Sequence, residues 1–264
     1  MLQKRYDGFL QTPTLWKGNT VFNLQQFEIT PLFSKINRPI NNTLRLGKYV
    51  ERLVDFQLLQ DDTISIIAQN IQIQDAKVTV GELDCLIQKD QQPIHLEIVY
   101  KFYLYQPNMG VDEITRFIGP NRKDTLVKKL HKLKTKQLPL LHNNSCTPYL
   151  KQHKLKAQSI SQQVYFKAQL FIPYSLPYLQ LKTLNSDCII GTYITPEELD
   201  FFKDYKFYIP HKKDWLVQPH THVNWMNFDH FKFILKSYLL DEFSPLCWIK
   251  SKNGRLQKSV FVWW

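Results

Sequence analysis

The chain has 264 residues, of which 44% are hydrophobic and 22% charged, enough apolar matter for a real core and too much for a disordered polymer. Lys and Arg number 34 against 23 Asp and Glu, a formal charge of +11, and the pI is near 9.3. That balance points toward polyanionic partners and says nothing about fold.

The eight glycines are spread so that neither GxGxxG nor GxxxxGK occurs, which excludes a dinucleotide fingerprint and a P-loop. GxSxG is absent too, so the common hydrolase elbow is excluded. The four cysteines, at 85, 146, 188 and 247, form no CxxC pair and read as buried, reduced thiols rather than a zinc site. The first residues, MLQKRYDGFLQTPTLW, lack the apolar stretch of a signal peptide, and no run approaches the ~18 apolar residues of a membrane helix. A cytoplasmic protein without membrane contact is the expectation; oligomeric state stays open.

Taken in chain order, residues 1–43 read as an irregular segment docked by Phe22, Phe27 and Phe33. Residues 44–59 repeat apolar side chains at helical spacing (Leu46, Tyr49, Val50, Leu53, Val54) and predict an amphipathic helix. Three strands follow, at 63–74, 77–88 and 93–104, the last two joined as a hairpin through a loop at 89–92. Gly119-Pro120-Asn121 breaks the chain before a second helix whose apolar side is Leu126, Val127, Leu130 and Leu133; its other side is basic, with seven Lys/Arg and one acid across 122–136. A strand at 163–173 comes next. The remainder mixes strands (188–194, 205–210, 246–251, 258–264) with short helices (196–203, 226–240). The expected class is α/β (α+β) in a single domain, with a core at 44–173 and a C-terminal extension of the same sheet.

The chemistry is carried by the hairpin. With a loop at 89–92, paired residue numbers sum to 181, so Asp84 faces Glu97. Alternation places Glu82, Asp84 and Leu86 on one face with His95, Glu97, Val99 and Lys101 across from them. Two opposed carboxylates ~5 Å apart at Cβ repel. Three arrangements relieve them: solvation on an open sheet face, a shared proton, or a divalent cation held by hard oxygen ligands. His220 and His222 form an HxH pair with His211 and His230 nearby, read as loop histidines, and the late tryptophans, including Trp215 and Trp248, as core rather than base-stacking platforms.

The segments LGKYVERL, GELDCLI, HLEIVYKFYL and FIGPNRKDTLVKKLHKLKTKQL, with the aromatic C-terminus, resemble the bacterial domain of unknown function 1853 family. The Gly-Glu-Leu-Asp strand followed by His-Leu-Glu and a later lysine is similar to the PD-(D/E)XK nuclease superfamily. That resemblance implies a restriction-endonuclease-like core of helix, three strands, helix and strand, and a Mg²⁺- or Mn²⁺-dependent nuclease acting on DNA or RNA. It implies Asp84 and Glu97 as metal-binding acids, Glu51 as a helical acid near the metal, Lys101 as the catalytic lysine, Glu82 as an auxiliary acid and Gln137 as a late glutamine. The basic helix (Arg122, Lys123, Lys128, Lys129, Lys132, Lys136) would hold the nucleic-acid backbone. One departure stands out: Glu97 and Lys101 form E-x-x-x-K where the superfamily has E-x-K, which places the lysine one pleat further along, roughly 7 Å. A non-catalytic nucleic-acid binder on the same fold, or a soluble interaction module, are the competing expectations.

Overall fold

The computed structural model describes residues 1–264. Its helices are α1 (Leu2–Gln11), α2 (Leu46–Leu58), α3 (Leu126–Lys132), α4 (Thr147–Gln152) and α5 (Phe228–Leu240). Its strands are β1 (Ile64–Asp75), β2 (Val78–Lys89), β3 (Gln92–Tyr105), β4 (Phe117–Ile118), β5 (Ser161–Pro173), β6 (Ile189–Ile194), β7 (Lys206–Tyr208), β8 (Leu246–Lys250) and β9 (Leu256–Phe261). They form one nine-stranded, mostly antiparallel sheet in the order β1-β2-β3-β5-β6-β9-β8-β7, with β4 paired to β3. The protein is thus mixed α/β, and the order α2-β1-β2-β3-α3-β5 predicted for residues 44–173 is present, with β4 and α4 inserted. No helix is long and apolar enough to cross a membrane.

The chain divides into two compact units. A hairpin unit comprises Thr14–Tyr100 and Lys128–Lys167, and a C-terminal unit comprises Met1–Pro13, Lys101–Val127 and Ala168–Trp264.

In the hairpin unit, α2 forms for the expected reason: Tyr49, Val50, Leu53 and Val54 are at most 1% exposed and lie on one stripe. The hairpin keeps the predicted register, with pairs from Lys89↔Gln92 to Cys85↔Leu96 summing to 181. Its loop is two residues rather than four. Asp90 (φ 49°) and Gln91 (φ 66°) both have positive φ, the requirement of a type I′ turn, whose twist matches that of the strands. The residues before α2 are less irregular than expected. Bridges join Thr14 to Lys167 and Gln26 to Val164 on β5. Phe27 is fully buried against Tyr165, while Phe33 is 63% exposed and docks nothing.

The C-terminal unit has β6 parallel to β5 and β9, and β8 antiparallel to β7 and β9. Gly191 on β6 is needed there, because a Cβ would lie 2.1 Å from the Lys258 carbonyl oxygen. The segment after Thr195 begins with the capping box expected of a helix start, yet winds as a 3₁₀ helix over Pro196–Phe202. Trp215 and Trp248 are core residues, 2% and 1% exposed. All four cysteines are free and buried.

The N-terminal helix α1 corrects the expectation of irregular chain. Tyr6, Phe9 and Leu10 have helical spacing and are buried. No side chain caps its start, and neither end carries a charge complementing the dipole. Its support is tertiary: the Arg5 Nε donates to Asp214 Oδ1 at 2.7 Å, and Gly8 packs so close to Leu216 that a Cβ would sit 2.0 Å from its carbonyl oxygen.

Candidate functional site

The β2–β3 ladder gives its last pair at Cys85↔Leu96. One step further stand Asp84 and Glu97, the two acids that the register sets opposite each other. There the side chain of Asp84 takes over from the main chain, and the Ile98 N–H donates to Asp84 Oδ2 at 3.0 Å. The face is not open. Glu97 and His95 are both fully buried, which removes solvation on an exposed sheet as the remedy for the acid pair.

Glu97 is held at both oxygens. The Gln137 Nε2 donates to Oε2 at 2.5 Å, and the His95 ring Nε2 lies 3.1 Å from Oε1. The Gln162 amide decides the histidine tautomer. Its Nε2 donates to the Leu138 carbonyl at 2.5 Å and lies 3.2 Å from His95 Nδ1. A carbonyl accepts only from the amide nitrogen, so Nδ1 is the acceptor and His95 Nε2 carries the proton given to Glu97. On the other side, the Lys129 Nζ donates to Gln137 Oε1 at 2.8 Å. A buried carboxyl group with a partner at each oxygen leaves neither oxygen unsatisfied, as burial demands.

Asp84 is less well served. Burial first, and the negative charge of Glu97 second, push its carboxyl up to about 7. Only Ile98 donates to it, so Oδ1 has no protein donor.

A cavity of ≈ 450 Å³ opens over Asp84 and Gln137; Glu97 and His95 are not part of its lining. Acids Glu51, Glu82 and Asp84 line it, together with Gln137 and Lys48, and Lys129, Lys132 and Lys136 also border it. The last three share one side of the helical segment by their i, i+3, i+7 spacing. The basic helix is shorter than predicted. It starts at Leu126, because Gly119–Thr125 folds as a turn closed by an Ile118–Thr125 bridge, and its last turn widens into a π-helix over Leu133–Gln137. Such turns are inserted where a side chain must be re-aimed, and here the turn ends on Gln137. Leu126, Leu130 and Leu133 are fully buried as expected, whereas Val127 is only half-buried.

The remaining expected residues lie as follows. Glu51 and Glu82 are both bound to Lys48, whose Nζ donates to Glu51 Oε2 at 2.9 Å, to Glu82 Oε1 at 2.5 Å and to Asn70 Oδ1 at 3.0 Å. Burial raises the Glu51 carboxyl in spite of Lys48. Burial lowers the Lys48 ammonium, but its bonds to Glu82 and Glu51 outweigh this and leave it raised. Lys101 does not line the cavity; its Nζ is 2.6 Å from Asp124 Oδ2. Arg122 lies over the Trp264 ring at 4.7 Å, and Lys123 and Lys128 are exposed outside the cavity lining. Sequence reasoning missed Lys48, Asn70 and Gln162. The i, i+3 spacing of Lys48 and Glu51 on α2 was the only available signal, since Asn70 and Gln162 reach their partners across elements.

The donor set is that of a hard cation: carboxylate oxygens, with no thiol among the lining groups. No three His, Cys, Asp or Glu side chains group closely enough to enclose a metal ion. Asp84 lines the cavity, while Glu97 is fully buried behind it, with both oxygens already in contact with His95 and Gln137.

A family model described as a domain of unknown function, DUF1853, matches residues 10–262. No curated protein and no solved structure matches the chain.

Proposed function

We propose, from the premise that the chain belongs to the DUF1853 family, that it is a nuclease of the PD-(D/E)XK kind, cleaving phosphodiester bonds with Mg²⁺ or Mn²⁺ held by Asp84 and Glu97. The observation that carries the reading is the opposition of these two acids where the hairpin ladder ends, with Asp84 lining a cavity bordered by lysines. The order helix, three strands, helix, strand supports a restriction-endonuclease-like core, and the free, buried cysteines support a cytoplasmic setting.

When bound, the ion supplies a water of lowered pKa and charge stabilisation at the phosphate. The chain's own residues do the rest. His95 and Gln137 each engage one Glu97 oxygen and fix the direction of its carboxyl group. Asp84, whose carboxyl is held raised by burial and Glu97, would bind the cation in its ionised form. Lys132 and Lys136 take phosphates of the strand by charge, without reading sequence. Lys129 is bonded to Gln137, which ties the lysine side of the cavity to the acid pair.

A second reading, a nucleic-acid binder without catalysis, is favoured by one observation: the lysine of E-x-x-x-K is engaged by Asp124. The deciding experiment is a cleavage assay on single- and double-stranded DNA and RNA with Mg²⁺ or Mn²⁺, with Asp84→Asn and Glu97→Gln alongside. Cleavage by the wild type that both variants lose supports the nuclease. Salt-sensitive binding without cleavage selects the second reading, and neither binding nor cleavage overturns both.

A further inference from the structure

We infer that Lys48 is a tethered cation: its ammonium fills an oxygen triad made by Glu51, Glu82 and Asn70 that would otherwise bind a divalent ion, so the cavity operates with one ion, at Asp84 and Glu97. The location of that one ion rests on the nuclease reading; the occupancy of the triad does not.

An ammonium has three N–H donors and no acceptor. The three oxygens around Lys48 Nζ, at 2.9, 2.5 and 3.0 Å, use all of them. No N–H is left for a phosphate oxygen, so Lys48 is neither a strand-binding lysine nor a substitute for Lys101. The oxygens come from α2, β2 and β1: Glu51 is an i, i+3 neighbour on the helix of Lys48, while Asn70 and Glu82 are brought in by the fold. Asn70 meets the ammonium from a left-handed backbone (φ 52°), which asparagine tolerates better than most residues. Two carboxylates and a carbonyl oxygen converging on one point are hard ligands with a net charge of −2. A compact +1 charge leaves that set one charge short of neutrality, and without it the set suits a divalent ion, which needs contacts of ~2.1 Å and so only a modest contraction. Glu51, expected as a metal ligand, is thereby reassigned: it holds the lysine.

The test is a count of Mn²⁺ bound per chain, by electron paramagnetic resonance of free Mn²⁺, for the wild type, Lys48→Met and Lys48→Met/Glu82→Gln, with circular dichroism to confirm folding. Lys48→Met is expected to bind one more ion than the wild type, and the double variant to return to the wild-type count. An unchanged count in Lys48→Met, or an extra ion that survives Glu82→Gln, overturns the inference. A wild type that binds no ion while Lys48→Met binds one removes the nuclease reading and keeps this one. If Lys48→Met does not fold, nitrogen NMR of the wild-type lysine ammonium decides. With its three N–H groups held, the Lys48 resonance persists when Mg²⁺ is added; its absence or its loss on adding Mg²⁺ overturns the proposal.

Discussion

At the scale of single residues, Asp84 has a measurable consequence that does not need a substrate. Its folded carboxyl titrates at about 7, raised by burial and then by Glu97 from 3.8. The native state therefore holds this proton where the unfolded chain has released it. The stability this gives is full below about pH 4 and is lost as pH rises toward 7. Asp84→Asn removes the charge and keeps an acceptor for the Ile98 N–H. It should raise stability by roughly 2–4 kcal/mol near pH 8 and by nothing near pH 4, read from urea unfolding at the two pH values. Equal effects at both would show that Asp84 is ordinary. A second expectation concerns His95. Truncation to Ala strips a fully buried carboxylate of one of its two donors and opens a cavity, and should cost about 3–5 kcal/mol in the same measurement. Of this cluster, the Asp84–Glu97 opposition and the place of His95 on their face followed from the alternation of residues. Gln137 was reached only through family resemblance. Gln162, 67 residues from His95, had no local signal.

At the scale of elements, the lysine row and the hairpin turn are the informative pieces. Lys132 and Lys136 are exposed and border the cavity, and Lys123 is exposed and does not. Lys132→Ala and Lys136→Ala should each weaken nucleic-acid binding for all sequences and reduce the slope of log K against log salt by about 0.7–0.9, while Lys123→Ala leaves the slope near that of the wild type. Equal slopes in all three would move the binding surface elsewhere. The turn at Asp90–Gln91 has glutamine in the left-handed region, where glycine costs less. Gln91→Gly should stabilise the protein by about 1 kcal/mol, checked by thermal unfolding. The hairpin register was legible because the expected loop has the right centre: shortening it symmetrically from 89–92 to 90–91 leaves the sum of paired numbers the same. The π turn before Leu138 was not legible, since a widened turn has no composition of its own.

At the scale of the whole molecule, charge is arranged more sparingly than a net of +11 suggests. In the C-terminal unit, Lys258 is 2% exposed, and its Nζ meets only neutral oxygens, Gln169 Oε1 at 3.0 Å and the Trp215 carbonyl at 2.7 Å. Burial lowers its ammonium to about 7. Between about pH 7 and 10 the unfolded chain binds a proton that the native state does not, so this residue makes stability rise with pH over that range. Lys212, whose ammonium burial also lowers to about 7, adds to the same rise, so Lys258→Met should reduce it without abolishing it; a wild-type stability flat from pH 7 to 10 would contradict the burial of both lysines.

The succession of helix α2 and strands β1 to β3, the hairpin register and the facing positions of Asp84 and Glu97 were determined by the sequence alone, because each depends on side-chain periodicity within a dozen residues or on two adjacent strands. Tertiary structure alone decided that α1 is a helix, that Lys101 belongs to Asp124, and that Lys48 sits among Glu51, Asn70 and Glu82. A buried or half-buried charge takes whichever opposite charge the folded chain brings within hydrogen-bonding distance. Asn70 and Glu82 lie 22 and 34 residues from Lys48, separations that no local pattern encodes, whereas Glu51, three residues away on α2, lies within helical spacing.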